Sequence, residues 1–315
     1  MAMIKFEEVS KIYSGTTLAV DSISFEVIAG ETLGLIGTSG SGKTTILKMI
    51  NRLIEPTSGE IYLDGVSIFA QPPEQLRRGM GYVIQHGGLF PHYTVADNIA
   101  TVPRLLGWEE EKIKQRSDEL LQLVGLDPSN FSHRNPDELS GGQQQRVGLA
   151  RALAADPDIL LMDEPFGALD PITKKQVRQE CKKLLDHLEK TVILVTHDVF
   201  EAVSLCDRIC LIDEGKIQQI GMPEELLFSP ANTFVASFFD NHRLQLEMMS
   251  VSIGDLLEIL EIDNRLVQDE SLFSLIENNQ QFDSQSSLEE LGISTGDLFS
   301  ALNEYKARFR EANDD

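Results

Sequence analysis

The sequence predicts an α/β fold, and three observations predict it. First, the glycine-rich run 37–45 sits between a short apolar stretch at 31–36 and a stretch at 45–54 whose apolar residues recur at helical spacing. Second, the runs 159–162 and 191–195 are almost wholly apolar, and each ends in a polar cluster. Strands buried on both faces of a parallel sheet read this way, and their carboxyl ends face a ligand crevice. Third, a shorter run of the same type, Gly81-Tyr82-Val83-Ile84, ends in Gln85.

At 315 residues the chain accommodates one large domain or two smaller ones, and 42% hydrophobic residues supply an ordinary core. No apolar run approaches the ~18–20 residues that span a bilayer. The N-terminal residues lack the basic start and long apolar stretch of a secretory leader. Cys181, Cys206 and Cys210 show no metal-binding or disulfide spacing, so they are expected as buried small hydrophobes in a reduced, cytosolic compartment. The net charge of −23 argues against nucleic acid as a partner, because a phosphate backbone is bound by clustered Lys and Arg. About half of that charge lies in roughly the last quarter of the chain. This shift sets a boundary near Asp240, with a first domain over 1–240 and an acidic accessory region over 241–315.

Gly37, Thr38, Ser39, Gly40, Ser41, Gly42, Lys43, Thr44 and Thr45 fit the pattern G-x-x-x-x-G-K-[ST]. The glycines let successive N–H groups turn inward around a polyphosphate, and the start of the following helix adds positive potential. Lys43 is then expected to reach the β- and γ-phosphates, and Thr44 to place its hydroxyl on Mg²⁺. The plain alternative is a Gly/Ser-rich turn, which the flanking strand and helix disfavour. Asp163, ending its strand, is expected to hold Mg²⁺ directly or through water. Glu164, one residue on, is placed to orient or polarise the attacking water. His197 is expected at the same crevice, bonded to the γ-phosphate, although a lone strand-end histidine is more often a satisfied surface residue. Gln85 is a further candidate for Mg²⁺ or for positioning the water, with an ordinary strand-end glutamine as the alternative.

The segment Leu139-Ser140-Gly141-Gly142-Gln143-Gln144-Gln145-Arg146 opens a helix predicted over 144–153. Ser140, Gly141 and Gly142 offer a hydroxyl and backbone N–H groups to a phosphate, a second anion nest at a helix start; a Gly-rich helix cap is the alternative. The segment resembles the signature motif of the ATP-binding cassette (ABC) ATPases. The resemblance runs through about residues 3–235, with the motifs in the family's order and spacing. It implies a P-loop NTPase cassette with a mixed β core lobe and a helical lobe at about 88–155. It also implies the site residues. Tyr13, 24 positions before Gly37, matches the aromatic residue that stacks on adenine. Gly37 to Thr45 match the P-loop, with Lys43 on the phosphates, and Gln85 matches the Q-loop glutamine. Asp163 matches the magnesium aspartate, Glu164 the catalytic glutamate and His197 the switch histidine. Ala168-Leu169-Asp170 match the D-loop, and Ser140 to Gln143 the signature. Thr38 and Thr44 stand where Pro or Ala, and Ser, are common in the family; neither removes a needed donor or hydroxyl.

One P-loop and one signature, with no internal repeat, imply a pair of chains. In the family two cassettes associate head to tail, each ATP lying between one P-loop and the other subunit's signature. Leu89, Phe90 and Tyr93, just after the Q-loop, offer an apolar groove for a helix of a membrane subunit; a core loop is the alternative. Residues 81–92, 98–108 and 165–173 resemble the ATPase subunits of quaternary-amine (glycine betaine, choline, carnitine) osmoprotectant importers. That likeness implies ATP hydrolysis driving uptake, integral membrane permease subunits and, indirectly, a substrate-binding protein. It implies a peripheral place on the cytoplasmic face of the cell membrane. The alternatives are an importer of another small solute, such as an amino acid or sulfonate, and a soluble ABC ATPase without a transport role.

Members of that subfamily often end in paired CBS domains. The roughly 75 residues after Asp240 are too few for a pair, although 267–276 faintly resembles the start of one such module. Residues 252–260 and 296–305 read instead as helices with apolar stripes, with Asp255 and Asp297 near their N-terminal ends. A small helical appendage is the expectation.

Overall fold

The computed structural model describes residues 2–13, 15, 17–85, 88–167, 169–260, 272 and 294–313. The chain divides into two compact units, Met1–Ile217 and Gln218–Asp315. The division lies upstream of the composition shift near Asp240, because the short helices before that residue pack on the helices after it.

In the first unit β1 (Ala2–Tyr13) and β2 (Thr17–Ile28) form an antiparallel pair. Ile4, Phe6 and Val9 turn one face of β1 into the core, and Phe6 stacks on Phe25 with ring centroids 4.5 Å apart. The chain then enters a second sheet through β3 (Thr32–Gly37) and α1 (Lys43–Ile50). It returns to the first sheet with β4 (Ser58–Leu63) and β5 (Val66–Ser67), giving the order β2–β1–β4–β5.

The second sheet is built from β3, β6 (Met80–Val83), β7 (Ile159–Asp163), β8 (Thr191–Val195) and β9 (Arg208–Asp213), in the order β9–β3–β8–β7–β6. These strands are parallel. β10 (Lys216–Gly221) carries the chain from the first unit into the second. Every residue of β3, β7 and β8 is buried, as continuous apolar runs require when helices cover both faces. Register does the positioning. Leu35 lies opposite Val195, Val195 opposite Asp163, and Val83 opposite Met162. The residues after β3, β6, β7 and β8 therefore emerge at one edge, where the glycine-rich loop, Gln85, Glu164 and His197 follow.

The described residues of 88–155 hold helices and no strand: α3 (Val95–Leu105), α4 (Glu110–Leu123), the short α5 (Pro128–Phe131) and α6 (Gly141–Leu153). Thr94 caps α3 by accepting from the Asp97 N–H at 3.2 Å. Asn98 is fully buried; its amide donates to the carbonyls of Phe90, Tyr93 and Thr94 and its oxygen accepts from the Phe90 N–H at 2.8 Å. One side chain thus shapes the loop before α3. After α2 (Pro73–Arg78) and these helices come α7 (Pro171–Leu188) and α8 (Val199–Leu205).

The three cysteines are free and buried among the apolar packing. Burial pushes the Cys181 and Cys210 thiols up to about 12.

The described residues of the second unit are helical past β10: α9 (Pro223–Phe228), α10 (Thr233–Phe238), α11 (Arg243–Ser250), α12 (Ile253–Ile259) and α13 (Thr295–Asn313). The helices expected at 252–260 and 296–305 are present, the second running on to Asn313. Ser252 with Asp255, and Ser294 with Asp297, form reciprocal caps at their starts, so the two aspartates act through hydrogen bonds as well as through the helix dipole. Phe228 meets Tyr305 and Phe309 edge-on at 6.1 and 5.6 Å. Glu247, 3% exposed, is held by Lys306 Nζ at 2.6 Å. The stretch 267–276 lies outside the described residues apart from Leu272. Among the described residues no helix is long and apolar enough to cross a membrane.

Candidate active site

The glycine-rich loop turns directly off β3. Gly37 has φ +148°, and a Cβ there would lie 1.9 Å from the Ile212 carbonyl oxygen. Gly42, the N-cap of α1, has φ +104°, with the Ala19 carbonyl oxygen 2.4 Å from where its Cβ would be. Only glycine satisfies both the close approach and the positive φ. Lys43 is 7% exposed and folds into the loop, donating from Nζ to the carbonyls of Gly37 (3.0 Å) and Thr38 (2.7 Å) and to Ser41 Oγ (3.3 Å). Burial lowers its pKa, with Glu164 acting in the opposite sense.

Thr44 Oγ1 donates to Asp163 Oδ1 at 3.2 Å, so the first turn of α1 and the end of β7 already share a hydrogen bond. Asp163 is 5% exposed, and its other oxygen accepts from Tyr82 OH at 3.3 Å. Burial raises its pKa against the hydrogen bonds from Thr44 and Tyr82. A buried carboxylate beside a hydroxyl offers the hard oxygen donors that Mg²⁺ selects. Thr44, Asp163 and the side-chain oxygen of Gln85 therefore fit the ion in donor type.

Glu164 sits just past β7 with φ +45°, in the left-handed region, its N–H donating to the Val195 carbonyl at 2.9 Å. Non-glycine residues held there cost of order 1–3 kcal/mol and cluster at functional sites. Glu164 Oε2 accepts from Gln85 Nε2 at 2.8 Å and lies 3.3 Å from His197 Nδ1. Ala19, Ser39 to Thr45, Glu164 and His197 line a cleft of about 310 Å³. Tyr13 ends β1 with its hydroxyl 3.4 Å from Thr45 Oγ1, beside the start of α1.

The structure thus brings together the loop, Gln85, Asp163, Glu164 and His197. The signature residues and Asp170 do not line this cleft. Ser140 and Gln143 form a reciprocal cap on α6: Ser140 Oγ accepts from the Gln143 N–H at 3.3 Å, and Gln143 Oε1 accepts from the Ser140 N–H at 3.0 Å. Gly141 and Gly142 form the first turn of that helix; a Cβ on Gly142 would meet Thr173 Cγ2 at 2.9 Å. Asp170 caps α7, accepting from the N–H groups of Ile172 and Thr173, and hydrogen bonding with Thr173 lowers its pKa. Leu169 is described and Ala168 lies outside the described residues.

Several partners carry no signal in the sequence. Asp213 accepts from Thr38 Oγ1 at 2.7 Å, and Tyr82 reaches Asp163 across two strands. Arg151 on α6 donates to the Gly88 carbonyl at 2.8 Å and lies over the Phe90 ring, while burial lowers its pKa. All are long-range pairings without a local sequence pattern. Phe90, beside this arginine, and Tyr93, its ring centroid 5.4 Å from that of Phe90, are each 47% exposed.

Comparison with known proteins points to one family. The sequence model of the ABC transporter family matches residues 20–167. The chain is 52% identical over 254 residues to the glycine betaine uptake system ATP-binding protein YehX of Escherichia coli (strain K12), covering 80% of this chain and 82% of that one. It is 55% identical over 242 residues to the glycine betaine/carnitine/choline transport ATP-binding protein OpuCA of Bacillus subtilis (strain 168), covering 77% of this chain and 63% of that one. The chain spans less than two thirds of the length of OpuCA and of the choline and carnitine transport proteins it also matches. Among solved structures it resembles a dimeric post-hydrolysis state of an ATP-binding cassette bound to ADP and phosphate. That match has TM-score 0.62 and 34% identity, and covers 70% of this chain and 98% of that one. The chain belongs to the ABC transporter family, among its ATP-binding proteins.

Proposed function

We propose that the chain is the ATP-hydrolysing subunit of an importer for quaternary amines such as glycine betaine, choline or carnitine. The observation that carries the enzymatic part is the Glu164 carboxylate, held between Gln85 and His197 at the edge of the phosphate loop's cleft. The amine is supported by relatives whose names specify glycine betaine, carnitine and choline transport.

In this reading Gly37 to Thr45 cradle the triphosphate with N–H groups, Lys43 turns its ammonium from the loop carbonyls to the β- and γ-phosphates, and Tyr13 stacks on the adenine. Thr44, Asp163 and Gln85 hold Mg²⁺, which neutralises charge on the phosphate oxygens. Glu164 orients and polarises the attacking water, and His197 donates to the γ-phosphate. Phosphoryl transfer needs positioning and charge stabilisation more than covalent help, so splitting the donors between two chains makes hydrolysis conditional on closure. Ser140 to Gln143 and Asp170 complete the site of a second copy, which agrees with their place outside this chain's own cleft. Leu89, Phe90 and Tyr93 receive a helix of the permease, which holds the chain at the cytoplasmic face of the membrane.

Mixing Lys43→Ala chains with Ser140→Arg chains tests the pairing. Each variant alone is inactive. Random pairing of the two rebuilds one intact site in half of the dimers, so about a quarter of wild-type hydrolysis returns. No recovery on mixing means that each site lies within one chain. Loss of glycine betaine uptake on deletion of the gene, restored by wild type and not by Glu164→Gln, tests the solute.

A further inference from the structure

Within the first unit, one ammonium joins two segments that lie far apart in sequence. Lys174 stands in the first turn of α7, four residues after the cap Asp170. Its Nζ lies 2.6 Å from Asp198 Oδ2 and 2.7 Å from Glu201 Oε1. Asp198 follows His197 and caps α8, its Oδ1 accepting from the N–H groups of Phe200 (2.8 Å) and Glu201 (3.4 Å). Thr196 precedes His197; its Oγ1 accepts from the Asp198 N–H at 3.0 Å and is bonded to Glu201 Oε2. The residues on both sides of His197 therefore belong to one polar cluster, and that cluster is tied to α7 by Lys174.

The cluster is not a solvated surface pairing. Glu201 and Thr196 are 2% and 1% exposed, and Lys174 and Asp198 about a fifth. Exposed ion pairs hold geometry weakly, whereas a desolvated, multiply bonded pair resists rearrangement because breaking it strands a buried charge. The His197 ring, by contrast, is 62% exposed and faces Glu164 Oε2 at 3.3 Å. Packing does little to orient a ring that open, so its place follows from its backbone, and the neighbours of that backbone are what the cluster grips.

We propose that Lys174 is a positioning residue that transmits the placement of the Asp170 cap to His197, setting the imidazole beside Glu164. The proposal rests on the reading of the cleft as an ATP-hydrolysing site. Asp170 fixes the start of α7 by accepting from the N–H groups of Ile172 and Thr173 at 3.2 and 3.1 Å. Movement of that turn is carried by Lys174 to Asp198 and Glu201, and through them to the peptides on either side of His197. Lys174 does not line the cleft, so it acts on turnover and leaves the phosphate loop's grip on the nucleotide alone. A guanidinium can serve the same two carboxylates with its fork; a methionine fills the space and serves neither.

The test compares full-length wild type, Lys174→Arg, Lys174→Met and the double variant Lys174→Met/Glu201→Gln, with Glu164→Gln as the inactive control. MgATP hydrolysis, binding of a fluorescent ATP analogue and thermal melting are measured for each. In Lys174→Met, kcat falls by about tenfold or more, since small misplacements at a reacting centre cost up to about a hundredfold. KM for ATP and the analogue's Kd stay within about twofold, and Lys174→Arg returns kcat to within about threefold of wild type. The double variant neutralises Glu201, the more deeply buried of the two stranded carboxylates, and leaves Asp198, about a fifth exposed and still accepting from the α8 N–H groups, so it melts near wild type and yet stays slow. The proposal is overturned if either Met-bearing variant hydrolyses at the wild-type kcat. It is equally overturned if the double variant regains turnover together with its melting temperature, which is the mark of a purely structural role. Absent hydrolysis in wild type, or full hydrolysis in Glu164→Gln, brings down the reading of the cleft and this proposal with it. Active wild type, inactive Glu164→Gln and an unimpaired Lys174→Met bring down this proposal alone.

Discussion

Gln85 Nε2 donates to Glu164 Oε2 at 2.8 Å, joining the ends of two neighbouring parallel strands. The same oxygen faces His197 from the end of the next strand. A carboxylate gripped from both sides keeps one orientation at the mouth of the phosphate loop, and that constraint is worth more to catalysis than proximity alone.

Replacing Glu164 with Gln keeps the shape and removes the negative charge. We expect kcat for ATP to fall by about 10²–10⁴-fold, the usual contribution of a positioned acid–base group, with nucleotide affinity retained. Steady-state hydrolysis and equilibrium binding of an ATP analogue check this. Undiminished kcat shows that Glu164 is not the group that activates water.

The loop glycines separate into two kinds. Gly37→Ala drives a Cβ against the Ile212 carbonyl oxygen and is expected to cost at least about 2 kcal/mol in denaturant unfolding. Gly40→Ala meets nothing within 4 Å and bears only the strain of φ +80°, about 1 kcal/mol. Equal losses at the two positions contradict the close packing of Gly37 on β9.

The thiols report on burial. At pH 8 the native chain is expected to leave Cys181, Cys206 and Cys210 unreactive toward a disulfide reagent over minutes, and the denatured chain to expose all three. Burial raises the native thiol pKa above the ordinary value of 9.0. The native state thus binds more protons than the unfolded state above that value. The contribution is fully present below about pH 9 and is lost as pH rises toward about 12. Rapid labelling of a native thiol at pH 8 refutes the buried assignment.

Lys306→Met strands the Glu247 carboxylate, which is 3% exposed and has Arg243 next at 3.9 Å. With the lysine itself 21% exposed, the loss is expected near 1–3 kcal/mol, below that of a fully buried pair. Unfolding of the full chain, with amide exchange followed in α11 and α13, measures it. Adding Glu247→Gln should recover most of the loss; an additive penalty shows that the two side chains are not coupled.

Much of the site is legible in the amino-acid sequence. The phosphate loop, Asp163, Glu164 and His197 each sit at the end of an apolar run, and a run plus its terminal residues is a local pattern. The helices at 252–260 and 296–305 are legible for the same reason, since an apolar stripe repeats within a few residues, while the caps by Ser252 and Ser294 emerge only in the structure. Tyr82, Asp213, Arg151 and Lys174 are not. Tyr82 stands inside a strand whose alternation marks only which face it uses, and nothing near Lys174 in sequence distinguishes it from Lys175.

The order of residues along the chain settles which chemical groups are present and which short elements carry them, because strand runs, glycine turns and caps are decided within a few residues by backbone sterics and local hydrogen bonds. It does not settle which groups meet. Gln85 reaches Glu164, and Lys174 reaches Asp198 and Glu201, because parallel strands pair in one register and α7 lies against α8. That register is chosen by burial of β3, β7 and β8, whose paired residues lie from 32 (Ile159 and Thr191) to 160 (Thr32 and Val192) positions apart, a property of the assembled core that no local segment contains.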